Sequence, residues 1–437
     1  MPARLIKSID TKNYGGETIR IGDLNTDGAP ELLIVQSYRP TREISCLTAV
    51  DIFGAVLWQK GVPSKDNGTI YSDLPVQIYD WDNDGRNEVL WIGQANYLEY
   101  EAHSYDPLDK ALVCYDIGVV RQDMKRYVER ALKYGGNAVM HILDGNTGEE
   151  KHSLLLPAPA DDCFLFANLT GKNGKNDLIV KDRYWNVWGI DHMGSVLWQW
   201  SGQTGHFPTV SDVDGDGMDE VFVGSALIDH DGQVLWETKN FTGHQDTVCV
   251  VSNGDELRLL SLDDKLRCLN IRGEELWNRD FAHGQHLLPG QFKSDSPIQF
   301  AVIDERHNDE ADTLHLINLD GNELWRRRTR PNGNAGSHIR LIDWSGGLPC
   351  IVLFNANIPN WPSRIYDGDG DVIEELYFQR ADLKKPDSVT YTVGADAWGD
   401  SRHETLLTGR EGVCIYANTA VKPDVGLNNF TYYNGIG

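Results

Sequence analysis

The chain has no apolar run of eighteen residues, so no segment is long enough to span a bilayer as a helix. No apolar stretch follows Met1, and "MPARLIKSID" is too polar to be a signal peptide. Cysteines are few and odd in number: Cys46, Cys114, Cys163, Cys249, Cys268, Cys350 and Cys414. None forms a CxxC pair, and most sit in apolar strand-like runs. That pattern reads as buried thiols rather than a disulfide framework or a zinc site. A cytoplasmic location is the expectation, carried mostly by the cysteines. A secreted chain whose signal peptide had been removed would begin the same way. Positive charge is also scarce, with 40 Lys and Arg against 65 Asp and Glu and a formal net charge of −25. This excludes nucleic acid as a partner and favours a soluble monomer. No GxSxG, GxGxxG or P-loop motif is present.

What the chain does have is a repeated acidic loop. In Gly205–Glu220, "GHFPTVSDVDGDGMDE", Asp212, Asp214 and Asp216 fall at positions 1, 3 and 5. Gly217 permits the sharp turn, and Glu220 brings an oxygen at position 9. Hard oxygen ligands at that spacing suit calcium. The loop is too short for an EF-hand and lies between strand patterns rather than helices. Asp23, Asn25, Asp27 and Glu31 repeat it, as do Asp80, Asp82, Asp84 and Glu88. Asp396, Asp400 and Glu404 form a worn copy. The residues of the three good copies are the expected calcium ligands, and the recurrence marks a repeat architecture.

A second element follows each loop: a strand, a tight turn, and a strand ending in "LW" or an equivalent. Examples are "LTAVDIFGAVLWQ", "ALIDHDGQVLWE" and "LHLINLDGNELWRR". Each is a hairpin signal, and loop plus hairpin make a four-stranded propeller blade. The expected fold is all-β, one eight-bladed β-propeller domain over residues 1–437. Seven blades stay open as a count, because the third and sixth units are degenerate. Inner strands should begin near Glu17, Tyr71, Cys163, His206, His244, His286, His338 and Tyr391. A first strand over Arg4–Ile9 should complete the last blade and remove the free edges. Trp58, Trp198, Trp236, Trp277 and Trp325 recur with the blade period and read as packing between blades. "DGDGD" at Asp367–Asp371 reads as a hairpin turn.

Residues 94–137 interrupt the pattern in the second blade. Val119, Val120, Met124, Tyr127, Val128, Ala131 and Leu132 share one helical face, and the rest of that helix is basic. It reads as a surface helix on the blade rim, with a lid over an anionic substrate as the alternative.

Inner strands line the channel of a propeller, so residues at their starts converge on the axis. His206, His244, His286 and His338 hold such positions. Histidine exchanges protons near neutral pH, which makes the set a binding or catalytic candidate. Arg183, in "KDRYWNVW", suits a carboxylate because its planar fork can hold both oxygens. Lys181 and Tyr184 crowd the same turn, and His103 in the insertion can reach in from above. His152, His192, His230, His307 and His315 read as solvated.

Gly205–Asp255 resembles the core of the family 11 polysaccharide lyases, the rhamnogalacturonan lyases. Shared features are a His-led strand, a "DVDGDGKDE"-like loop, a hairpin, and a second Gly-His-x-Asp strand. "DAWGDSRHETLLTGREGVCIYANT" is similar to the end of that family's domain. The chain is shorter than those enzymes, and it has "VVSNGDE" where they carry an acidic "GDLDP" loop. "KDRYWNVW" looks more like propeller lyases acting on rhamnose–uronate linkages.

The resemblance implies a calcium-bearing propeller and a lyase acting on an acidic oligosaccharide or polysaccharide. Uronate lyases remove the proton at C5 and expel the glycosidic oxygen from C4. The carboxylate must be neutralised by calcium, an arginine, or both. The expected catalytic set is Arg183 as clamp and His206 and His244 as base and acid, with Tyr184 and His103. His286, His338 and Lys181 are expected to bind substrate. The rival reading is a non-catalytic calcium-binding propeller that binds carbohydrate or protein. A hydrolase would need two free carboxylates across the sugar, and the blade acids are committed to metal.

Overall fold

The computed structural model describes residues 3–38, 43–69, 73–94, 138–160, 164–172, 174–181, 186–238, 245–254, 256–295, 297–305, 311–329, 336–379, 389–400 and 402–421. Eight four-stranded antiparallel sheets form an eight-bladed propeller. The first strands of the blades, in order, are Thr18–Gly22, Val76–Tyr79, Phe164–Ala167, Thr209–Ser211, Thr247–Asn253, Gly284–Gly290, Ser337–Ile342 and Tyr391–Ala395. Blade 8 is completed by Ala3–Asp10, which pairs with Gly412–Asn418 along its length, as the ring closure requires. The helical reading of the insertion lies outside the described residues.

Burial follows from position in the blade. Second and third strands are covered on both faces by neighbouring blades, so Glu31–Tyr38 and Asn186–Ile190 are almost wholly buried. Fourth strands lie at the rim and alternate, as in Val196–Ser201. The hairpin between third and fourth strands explains the "LW" signature. Asp191 Oδ1 accepts the amides of Met193 and Ser195 at 3.0 and 2.8 Å, which fixes the turn. Asp51, Asn270, Asn318 and Asp367 do the same in their blades. A bulge then sets the fourth strand one residue out of register.

The tryptophans join blade to blade, as expected. Trp58 Nε1 donates to Gly145 O at 2.7 Å, and Trp198 Nε1 to His230 O at 2.8 Å. Trp236, Trp277 and Trp325 repeat this on Ile271, Leu319 and Gly368. The indole lies flat on the hairpin of the next blade, where a side chain would collide with it. A Cβ on Gly232 would stand 2.5 Å from Trp198, and one on Gly148 2.6 Å from Trp58. Both glycines also adopt positive φ.

Three histidines depart from the solvated reading; of these, His230 is half-buried, with Nδ1 3.2 Å from Leu169 O. His315 sits on a third strand and is buried, with Nδ1 2.7 Å from Glu323 Oε2. His192 stacks on Trp81 at 4.4 Å between ring centroids. The cause is the blade geometry, which covers third strands and their turns with the neighbouring blade. His152 is exposed as expected, and His307 lies outside the described residues.

Candidate active site and cation loops

The start of each inner strand faces one end of the channel. There blades 4 to 7 bring histidines together. Gly205 has φ +64°, and a Cβ on it would lie 2.3 Å from Gln245 O. Its absence of side chain lets the blade 4 loop dock on blade 5, where His206 N donates to Gln245 O at 2.8 Å. His206 Nε2 then stands 3.8 Å from Asp246 Oδ1. From blade 6, His283 Nε2 lies 3.8 Å from Asp246 Oδ2, and Gln285 Nε2 donates to Asp246 Oδ1 at 3.1 Å. Asp246 is only 2% exposed. A buried carboxylate thus serves as hub for side chains from three blades.

The next pair is His286 and His338. His286 Nε2 is 2.6 Å from His338 Nδ1, and His286 is 8% exposed. His338 also stacks on Phe354, with ring centroids 5.3 Å apart. Burial pushes both imidazoles toward the neutral form, and the nearby charge of Arg340 pushes the same way. His338 falls to about 3. Arg340 shares the His338 strand two residues on, hence the same face. Its Nη1 donates to Ile339 O at 2.8 Å, its Nε is buried without a partner, and its guanidinium lies 5.9 Å from the Phe354 ring centre.

Of the expected site residues, the structure brings together His206, His286 and His338. Lys181 ends the second strand of blade 3 and is buried at 1% exposure. Arg183, Tyr184, His244 and His103 lie outside the described residues. Asp246, His283 and Arg340 were not singled out from sequence. The signals were present: Asp246 closes the Gly-His-x-Asp element, and Arg340 follows His338 at strand period.

The acidic loops join first to second strands, at the opposite end of the blades. All three share one geometry. In blade 4, Asp212 accepts the amides of Gly215 and Gly217 at 2.7 and 3.0 Å, and Glu220 Oε2 accepts Val213 N at 2.6 Å. Gly217 takes φ +90°, the turn its type allows. In blade 1, Asp23 and Glu31 make the same bonds, and Asn25 Nδ2 donates to Glu31 Oε1 at 2.8 Å. In blade 2, Asp80 and Glu88 repeat them, although Glu88 Oε1 is taken by Lys151.

Ligand atoms of Asp212, Asp214 and Glu220 lie within 4.8 Å of one another, as do those of Asp80, Asp82 and Glu88. Glu220 is 1% exposed, its Oε1 has no partner, and its carboxyl is pushed up to about 7 by burial beside Asp214 and Asp216. Such a set of hard oxygens fits a divalent cation. In the worn copy of blade 8, the Arg402 guanidinium binds Asp400 instead.

Residues 179–258 match the C-terminal domain model of rhamnogalacturonan lyase family 11. That segment contains His206, the blade 4 loop and Asp246. The exotype rhamnogalacturonan lyase YesX has a similar fold, with 18% identity and a TM-score of 0.60 over 94% of this chain and 76% of its own. The Bacillus licheniformis rhamnogalacturonan lyase is also 18% identical, with a TM-score of 0.59 over 96% and 76%. The V. cholerae biofilm matrix protein Bap1 reaches the same TM-score, 0.59, at 13% identity over 96% and 92%. No curated protein matches the chain in sequence. The resemblance to a family 11 lyase-type propeller therefore stands on the matched segment and the fold together.

Proposed function

We propose that the protein is a lyase that cleaves a rhamnose–uronate linkage in an acidic oligosaccharide or polysaccharide by β-elimination. The observation that supports it is the convergence of His206, His283, His286 and His338 with Arg340 at one end of the channel, His206 falling in the segment that matches the lyase model. A uronate carboxylate needs a cation beside it before the C5 proton can leave. Arg340 supplies one beside the histidines. A neutral imidazole takes the C5 proton, and the C–H electron pair becomes the C4–C5 double bond. The C4–O pair departs with the glycosidic oxygen, which takes a proton from a second imidazole in its protonated form. His206 and the partner pair His286–His338 are the groups placed for those transfers.

Calcium in the blade 4 loop has a structural task in this reading. In blade 4 the chain runs six residues from His206 to Asp212, at most about 20 Å at 3.3 Å per residue. Loop-bound calcium would brace the far end of the sheet and leave substrate charge to Arg340.

The test is ultraviolet absorbance of an unsaturated uronate, using oligosaccharides with rhamnose beside galacturonate or glucuronate. Wild type should generate product, and His206→Ala should lose it while keeping its melting temperature. Absence of product from every such substrate, with calcium present, would favour the non-catalytic propeller.

A further inference from the structure

The bulge that offsets each fourth strand leaves one residue out of register. In blade 1 it is Leu57 and in blade 4 Leu235, both exposed to solvent. In blade 2 the bulge falls at Lys151, between Glu150 and His152. Its side chain turns into the acidic loop. Nζ stands 2.7 Å from Asp82 Oδ2, 2.7 Å from Glu88 Oε1 and 3.9 Å from Asp84 Oδ2. Asp82 and Glu88 belong to the cluster whose blade 4 counterpart, Asp214 and Glu220, meets no Lys or Arg among the described residues, although His230 Nε2 stands 3.5 Å from Asp216 Oδ2. The Glu88 oxygen that Lys151 satisfies corresponds to the one left without a partner in Glu220. An ammonium is a compact charge with three donors, and it meets the same oxygens that would ligate a divalent ion.

We propose that Lys151 is a built-in counter-ion that replaces the metal in the blade 2 loop. The blade 2 loop is then closed without calcium, and the expectation of calcium on Asp80, Asp82, Asp84 and Glu88 gives way. The contrast with blade 4 rests on reading the Asp212 loop as a calcium site. One bulge residue decides whether a loop needs metal, and the choice should be transferable between blades.

Calcium uptake by the metal-stripped full chain, measured by titration calorimetry, tests this. In wild type, Asp82→Asn should leave uptake unchanged and Asp212→Asn should lower it. Lys151→Leu should bind one additional calcium, lost again in Lys151→Leu with Asp82→Asn. Leu235→Lys should lose the blade 4 calcium and keep its melting temperature in chelator. Reduced uptake in Asp82→Asn, or a folded Lys151→Leu that gains no site, would overturn the proposal. If Lys151→Leu does not fold, Leu235→Lys decides, and full uptake by that variant overturns it. Wild type that takes no calcium, beside a Lys151→Leu that takes one, would sink the Asp212 reading and leave the Lys151 proposal standing.

Discussion

His286 Nε2 lies 2.6 Å from His338 Nδ1, so two imidazoles from adjacent blades share a single hydrogen. One ring must donate and the other accept; the accepting ring cannot take a further proton without breaking the bond, whereas the other nitrogen of the donating ring can take one. Arg340, His206 and His283 add positive potential around His286, while Asp312 partly offsets it at His338.

That pair gives the fold an acid sensitivity. Both imidazoles titrate below 6.5 in the folded chain and near 6.5 when unfolded. The unfolded state therefore binds more protons below pH 6.5, and stability is lost as pH falls from there toward about 3. Each ring contributes a slope of at most about 1.4 kcal/mol per pH unit. Denaturant titrations between pH 7 and 4.5 should show a shallower decline for His338→Gln than for wild type. Equal slopes would remove the pair from the account.

Arg340→Lys keeps a charge but loses the planar fork. The rate of elimination per bound substrate should fall by about two to three orders of magnitude, the usual cost of removing one transition-state hydrogen-bond donor. The melting temperature should change little, since among the described residues Arg340 makes one backbone bond and a ring contact with Phe354, which a lysine charge can still approach. Steady-state kinetics with an acidic oligosaccharide would check this, and an unchanged kcat rules out the clamp role.

Chelator should lower the melting temperature and calcium should restore it. At a hundredfold excess over Kd the ion adds about 2.7 kcal/mol to stability. Glu220→Gln should weaken the calcium response, because the orphan Oε1 is the buried ligand of the blade 4 set. A melting curve indifferent to both reagents would contradict the cation reading of the Asp212 loop.

Gly232→Ala should destabilise the ring far more than Gly254→Ala. Both glycines have positive φ, so both substitutions strain the backbone by about 1–2 kcal/mol. Only at Gly232 would the new methyl also strike an indole, at 2.5 Å from Trp198, whereas nothing lies within 4 Å of Gly254. Trp198→Phe should cost about 1 kcal/mol for its bond to His230 O. Thermal melts of the three variants give the order.

These predictions divide along the line of what the sequence could carry. The Asp-x-x-Gly turn and the "LW" strand are local: Asp191, Gly194 and Trp198 lie within one hairpin, so their pattern repeats visibly. The acidic loops are local too, and Asp212, Gly217 and Glu220 do as their spacing requires. Lys151 lies 69 residues beyond Asp82, across an insertion, and no spacing rule links them. His283, Asp246 and Arg340 meet only because three blades point inward at one end. Asp246 and Arg340 left a local trace, in the Gly-His-x-Asp element and the strand period after His338, but nothing local links them to each other or to His283. His315 misled because rim and interior strands of a blade look alike when read one at a time.

The pairing of Ala3–Asp10 with Gly412–Asn418 fixes an order of events during synthesis. The earliest strand has no partner until the last blade leaves the ribosome. Until then, blade 8 has no outer strand, and two sheet edges stay open to other chains. Closure is a contact between residues some four hundred apart, such as Arg4 with Ala417, and contacts of that range form slowly. The propeller stays exposed to aggregation until Gly412–Asn418 is made and pairs with Ala3–Asp10.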